Sequence, residues 1–396
     1  MTSDQQTLMK FSDIAMYMQP SAIRRLLKVT ETPDLISFGG GLPNPESFPI
    51  KEIKEIFNEL IETNGKKMLQ YGATEGLTSL NLAISKMLKE RENIVISKDE
   101  LIQTTGSQEA LYMIGKILAN PNDYVFSEAP TYTGTISAFK ANFIKMIGIN
   151  MDNDGIDTNL LEKEIRNKKN AKLIYVIPNF QNPTGITMSL DRRKHLLEIA
   201  SEYSIPIVED DPYGPLRYSG KKVPSIKSMD KEGLVIYLGT FSKILAPGFR
   251  LGYVAANKEV IEKLNLAKQA VDLASSTISQ YIAEAYLSKG YLDRQLPKII
   301  ELYRHKRDLM LESMDKYFPR GVEWTRPEGG MFLWVTKKGA NTDALFPKAL
   351  EKKVAYVVGS AFYPDGDNHE SMRLNFTYSG DNEIVEGIKR LAEVIS

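Results

Sequence analysis

At 396 residues the chain exceeds the size at which one hydrophobic core keeps growing, so two domains, interleaved in sequence or not, are expected. Its composition is 42% hydrophobic and 25% charged, which excludes disorder, collagen-like repeats and coiled coil. Fifty basic residues balance fifty acidic ones and cysteine is absent, so neither a field for nucleic acid or anionic membrane nor any disulfide, thiolate nucleophile or cysteine metal site is expected. From Met1 to about Gln19 there is no apolar core of the signal-peptide kind, and no apolar run approaches the ~20 residues of a bilayer span. The expectation is a cytoplasmic protein with small-molecule partners.

Near the N-terminus, Gly39-Gly40-Gly41 lacks the spacing of a dinucleotide fingerprint, and backbone lying close to a substrate is the better expectation. From about residue 100 to 256, short apolar runs alternate with helical patterns. The runs are Leu101 to Thr104, Tyr124 to Phe126, Phe143 to Ile149, Lys172 to Ile177, Ile205 to Glu209, Leu234 to Leu238 and Leu251 to Ala255. Such alternation predicts crossover units and a largely parallel sheet covered on both faces, with ligands beyond the carboxyl ends of the strands. After about residue 290, Ile299, Leu302, Tyr303, Met310, Met314 and Tyr317 recur at helical spacing until Pro319-Arg320-Gly321 stops the helix. A second domain is expected there, with strands over Met331 to Val335 and Met372 to Phe376.

Four polar clusters follow the predicted strands. Gly106-Ser107-Gln108 opens a helix whose free amides can hold a phosphate, although Ser107 as a plain cap would look the same. Asn179-Phe180-Gln181-Asn182-Pro183-Thr184-Gly185 has ordinary turn chemistry. Glu209-Asp210-Asp211-Pro212-Tyr213 sets adjacent carboxylates and a phenol at a third strand end, where acids most often cap helices. Thr240-Phe241-Ser242-Lys243, with Arg250 downstream, suits a nucleophilic amine beside a phosphate, yet such a pair alone most often marks a solvated loop. Four such clusters on strand ends of one sheet argue against coincidence.

In combination, Ser37-Phe38-Gly39-Gly40-Gly41-Leu42-Pro43, Asn182-Pro183-Thr184-Gly185, Asp210-x-x-Tyr213, Ser242-Lys243 and Met372-Arg373-Leu374-Asn375-Phe376 resemble the fold-type-I pyridoxal-phosphate (PLP) aminotransferases, of the 2-aminoadipate, kynurenine and aromatic branch. The resemblance spans almost the whole chain. It implies an α/β protein of the PLP-transferase fold type I, a large domain with a mostly parallel seven-stranded sheet between helices plus a smaller α+β domain. The expected division is 46–295 for the cofactor-binding domain and 1–45 with 296–396 for the small one.

The same resemblance implies the site. Lys243 is similar to the Schiff-base lysine, an amine that must be partly neutral to act. Asp210, three before Tyr213, resembles the acid that pairs with the pyridine nitrogen, with Asp211 as the competing candidate. Tyr213 and Asn182 look like donors to the phenolic oxygen, and Tyr132 like the aromatic that stacks on the ring. Ser107, the amide of Gln108, Thr240, Ser242 and Arg250 match the phosphate anchors, Thr240 standing where serine is commoner. Tyr71 resembles the tyrosine that reaches the neighbouring subunit's phosphate, which implies a homodimer with shared sites. Arg373 is similar to the arginine that binds the substrate carboxylate, with Gly40 and Asn182 beside it. Arg24, next to Arg25, resembles an arginine that binds a distal carboxylate.

The expected reaction is a ping-pong transfer of an amino group from 2-aminoadipate, an aromatic or a similar amino acid to 2-oxoglutarate. Two alternatives use the same residues: a PLP-dependent carbon-sulfur lyase, and a non-catalytic sensor of the kind attached to DNA-binding domains, for which the early start of the resemblance and the zero net charge give no support. His195, His305 and His369 have no metal-ligand spacing, and the run from Asn150 to Gly155 places Leu161 where a calcium loop needs glutamate, so no metal is expected.

Overall fold

The computed structural model describes residues 10–17 and 34–396. Arg24 and Arg25 lie outside the described residues. Among those described, the main sheet has eight strands, of which seven are four residues or longer: β1 (Leu101–Thr104), β2 (Tyr124–Ala129), β3 (Lys145–Asp152), β4 (Ala171–Val176), β5 (Ile207–Asp210), β6 (Val235–Thr240) and β7 (Gly252–Ala255). Their spatial order is β1-β7-β6-β5-β4-β2-β3, and the two-residue strand Gly155–Ile156 folds back on the end of β3. Strands β2 to β6 pair in parallel. β7 runs antiparallel to both β6 and β1, so β1 points the same way as the other five.

The expectation of an α/β fold with a mostly parallel sheet holds, and β7 departs from the crossover pattern for a plain reason. Eleven residues separate Thr240 from Gly252, with a single 3-10 turn at Pro247–Phe249, whereas a parallel return needs a crossover of a dozen or more residues. The Val- and Ile-rich interior of β4 to β6 is buried on both faces, one facing the cluster around Ile174, Val176, Ile207 and Val235, the other facing Tyr175, Val208, Ile236 and Leu238. Helices cover both sides, so polar groups of these strands reach open space only at their ends.

Beyond the helix Tyr291–Tyr317, which buries Ile299, Tyr303, Met310 and Met314, a smaller antiparallel sheet contains β8 (Val322–Trp324), β9 (Phe332–Lys337), β10 (Val357–Val358) and β11 (Ser371–Asn375), in the order β8-β9-β11-β10. The N-terminal segment joins this part of the chain: Ile36–Ser37 pairs with Val354–Ala355, Phe38 N–H donates to Ala355 O at 2.8 Å, and Phe38 O accepts from Asn375 N–H at 2.8 Å. Buried Phe38 lies over Gly387, where a methyl would sit 2.5 Å from its Cζ. Gly39 to Leu42 are thereby carried toward the end of β11. No described helix is long and apolar enough to cross a membrane.

Gly239 in β6 has no room for a side chain, since a Cβ there would lie 2.1 Å from Tyr253 Cζ on β7. Gly239→Ala is expected to lower stability by about 1–3 kcal/mol through overpacking, read as a lower midpoint of chemical denaturation. An unchanged midpoint would contradict this close approach.

Candidate active site

The segments that follow β1, β2, β4, β5 and β6 meet at one cavity of about 410 Å³, closed on its other side by Gly41, Leu42, Phe332 and Arg373. One end is built for an anion. Ser107 opens the helix Ser107–Leu118 behind Gly106, which has φ 78° and no side-chain cap, so first-turn amides remain free. A methyl on Gly106 would stand 2.8 Å from Arg250 Nη2, so the guanidinium packs on bare backbone. Ser107 Oγ is buried without a partner. Thr240 Oγ1 accepts from Ser242 N–H at 3.1 Å and lies 3.1 Å from Ser242 Oγ. The Gln108 side chain donates to Gly134 O at 2.8 Å, which leaves its backbone amide for an anion. Three hydroxyls, helix amides and a guanidinium form a suitable donor set for a phosphate.

The deep wall is acidic. Asp210, the last residue of β5, is 2% exposed; its Oδ2 accepts from Tyr175 OH at 2.8 Å, and its Oδ1 is buried with no partner. Burial pushes this carboxyl up to about 7. Such a group invites a cation, which would favour its ionised form. Asp211 points elsewhere: its oxygens accept from Asn179 Nδ2 at 3.0 Å, Gly214 N–H at 2.9 Å and Tyr237 OH at 3.0 Å. Of the two candidates only Asp210 lines the cavity.

Lys243 Nζ donates to Gly41 O at 3.0 Å. Burial, with the positive charges of Arg373 and Arg250, pulls its amine down to about 8, so an appreciable neutral fraction exists near neutral pH. Asn182 Nδ2 donates to Tyr213 OH at 3.3 Å, and Asn182 Oδ1 accepts from Arg373 Nη1 at 2.9 Å. Arg373 lies in the middle of β11, 1% exposed, between the rings of Phe332 at 4.2 Å and Phe362 at 5.0 Å. Its Nη2 donates to Gly39 O at 2.7 Å, and its Nε has no partner. Burial pulls the guanidinium below its usual range, to about 10, which leaves it charged at neutral pH. Tyr132 caps the helix Thr133–Lys140, with its ring folded over Gly134.

These features fit pyridoxal phosphate on three counts: a phosphate cradle, an unpaired buried carboxylate oxygen where a ring nitrogen can bring a proton, and a partly neutral amine between them. Two expected residues lie apart from the cavity. Gly40 does not line it; the carbonyls of its neighbours Gly39 and Gly41 take the contacts to Arg373 and Lys243. Tyr71 is 88% exposed and borders a different recess with Gly72 and Thr277. Composition and motifs did not point to Tyr175, Ile177, Leu42 or Phe332; alternation along β4 places Tyr175 and Ile177 on one face, and is the one local signal for the former. In the stretch after Asn150, Asp152 Oδ2 accepts from Arg192 Nη2 at 2.6 Å.

Residues 33–391 match the family model described as aminotransferase class I and II. The chain is 51% identical over 390 residues to aromatic-amino-acid aminotransferase 1 of Thermococcus litoralis, covering 97% of this chain and 94% of that one. It is 37% identical over 381 residues to the 2-aminoadipate transaminase of Thermus thermophilus, covering 95% and 94%. The crystal structure of Pyrococcus horikoshii kynurenine aminotransferase, in complex with PMP, superposes with a TM-score of 0.94 at 48% identity, covering 97% of this chain and 96% of that one.

Because Arg250 helps to hold the Lys243 amine low, Arg250→Gln is expected to raise its titration midpoint toward the ordinary lysine value. The pH dependence of acylation at Lys243 in cofactor-free protein, followed by mass spectrometry, measures this. A midpoint that stays in place or falls would show that the guanidinium does not act on the amine.

Proposed function

The chain belongs to the class I and II aminotransferases, and from that membership we propose that it moves the amino group of an aromatic or 2-aminoadipate-like amino acid to 2-oxoglutarate in two ping-pong half-reactions. It is a PLP-dependent enzyme. The cofactor supplies an electron-poor ring able to accept the electron pair released when the substrate carbon loses its proton. One observation carries the reading: Lys243, Asp210 and Arg373 line the same cavity, and one Asp210 oxygen there has no partner.

In this reading the donor's carboxylate takes the fork of Arg373 in place of Gly39 O, through two charge-assisted hydrogen bonds that fix the substrate carbon. Lys243 Nζ would hold the cofactor, and the donor's amine would take its place there. An amine pulled down to about 8 can both take up a proton and give it back near neutral pH, so the freed Lys243 Nζ would serve as the base that removes the proton from the substrate carbon and then as the acid that returns it. Asp210 would keep a proton on the ring nitrogen, and Asn182 and Tyr213 would serve as donors to the ring's phenolic oxygen. Leu42, Phe332 and Tyr132 give the remaining wall an apolar character suited to an aromatic donor. The names of the aromatic, kynurenine and 2-aminoadipate relatives support the same donor class. A distal carboxylate would be met by Arg24, outside the described residues.

A second copy of the chain completes the proposal. Leu69, Tyr71, Val271 and Leu273 are all exposed, and Thr277 Oγ1 donates to Gln70 O at 3.1 Å, next to Tyr71. A partner covering these apolar side chains would receive Tyr71 at its own phosphate cradle.

Lys243→Ala is expected to abolish turnover while far-ultraviolet dichroism stays native; steady-state transfer in that variant would mean another lysine serves. Arg373→Lys keeps the charge but loses the fork, and KM for the amino donor is expected to rise about ten- to hundredfold. An unchanged KM would remove Arg373 from carboxylate binding. Titration with a panel of amino acids, read by the visible absorbance of the bound cofactor, tests the donor class: aromatic donors and 2-aminoadipate should change it, and indifference to all of them would defeat the reading.

A further inference from the structure

We infer that Tyr175 is a positioning residue of the transamination reaction, whose hydroxyl binds one oxygen of Asp210 and leaves the other turned to the cofactor. This rests on the reading of Asp210 given above and assigns a task to a residue outside the cavity. Tyr175 lies in β4, in register with Val208 of β5, and is 0% exposed. Its hydroxyl donates to Asp210 Oδ2 at 2.8 Å, and among the described residues no other side chain donates to Asp210. Asp210 Oδ1 is buried with no partner. One oxygen is therefore spoken for and the other is free, which sets the carboxylate's rotation about its own axis. The phenol ring is fixed in turn by the edge of Phe139, at 6.4 Å between centroids and 86° between planes.

The hydroxyl also has an electrostatic task. Burial pushes the Asp210 carboxyl up, the Tyr175 hydrogen bond pulls it down, and the charge of Asp211 pushes it up again. The titratable groups that feel Asp210 are Glu128 at the end of β2, Tyr132 beyond it, Tyr175 on β4, and Asp211 and Tyr213 after β5. Of these, Tyr175 is the one that stabilises the ionised carboxylate by a direct bond. Without it, a carboxyl in so dry a place competes with the ring nitrogen for the proton they share. A neutral acid facing a neutral ring is a weaker support for the electron sink.

The holoenzyme, Tyr175→Phe, Asp210→Asn and the double variant should be compared by kcat, KM, cofactor dissociation constant and the pH dependence of both kcat/KM and the bound cofactor's absorbance. Tyr175→Phe is expected to lower kcat about tenfold, leave KM for the donor unchanged, weaken cofactor binding, and move the acid limb of the profile upward. On the Asp210→Asn background it should add nothing, because the two residues act as one unit. A more acidic fluorotyrosine at position 175 preserves the ring and should move the acid limb downward, which separates positioning from loss of fold. Wild-type kcat and profile in Tyr175→Phe, or losses that multiply in the double variant, would overturn the inference. Full activity in Asp210→Asn would defeat the reading of Asp210 itself and this inference with it, whereas an impaired Asp210→Asn beside an unaffected Tyr175→Phe defeats this inference alone.

Discussion

The main sheet is buried on both faces and six of its strands point one way, so the carboxyl-end tips are where its polar side chains can gather without a packing partner. Everything at the site follows from that restriction. Asp210 ends β5, Thr240 ends β6 with Ser242 and Lys243 just beyond, Asn182 follows β4, and Ser107 opens the helix after β1. In this dry setting burial acts oppositely on acid and amine, raising the Asp210 carboxyl to about 7 and lowering Lys243 to about 8. Both charged forms are expensive alone. A ligand that brings an anion to one end and a protonated ring nitrogen to the other offsets those costs, which is why the site is matched to its cofactor rather than to water.

The smaller sheet supplies another wall of the same site, through Phe332 and Arg373. Arg373 sits in the middle of β11, clamped between Phe332 and Phe362, and reaches across to Asn182 on the loop after β4. Phe332 meets the Tyr213 ring edge-on at 5.8 Å, so one phenyl group contacts both Arg373 and a residue of the β5 loop. The N-terminal segment is threaded between the two parts, with Phe38 hydrogen-bonded to Ala355 and Asn375. Gly39 and Gly41 consequently present carbonyls to Arg373 and Lys243.

How far this was legible in the sequence differs from element to element. Periodicity located seven of the eight strands of the main sheet, the two-residue strand Gly155–Ile156 being too short to show a period, and Leu101–Thr104 at both bounds, because an apolar run between turn residues has few other options. It placed the start of β3 at Phe143 instead of Lys145, since Phe143 takes φ 57° in the turn before the strand, which its hydrophobicity conceals. The antiparallel course of β7 was invisible to a reading by alternation alone. Among site residues, the choice of Asp210 over Asp211 needed the register of a known pattern; the structure separates them by the three donors that occupy Asp211. Gly40 was expected at the substrate, whereas the carbonyls on either side of it hold the contacts. Tyr175 escaped notice because in the run from Lys172 to Ile177 it reads as one more core aromatic, and only the neighbouring strand shows what its hydroxyl meets.

The amine that carries the cofactor can be identified chemically. Reduction of the holoenzyme with borohydride, followed by proteolysis and mass spectrometry, fixes the pyridoxyl group on the lysine that held it. The label is predicted on the peptide containing Lys243 and absent from it when the substrate amino acid is added first. Label on any other lysine, with Lys243 unmodified, would contradict the convergence of strand tips from which the site has been built.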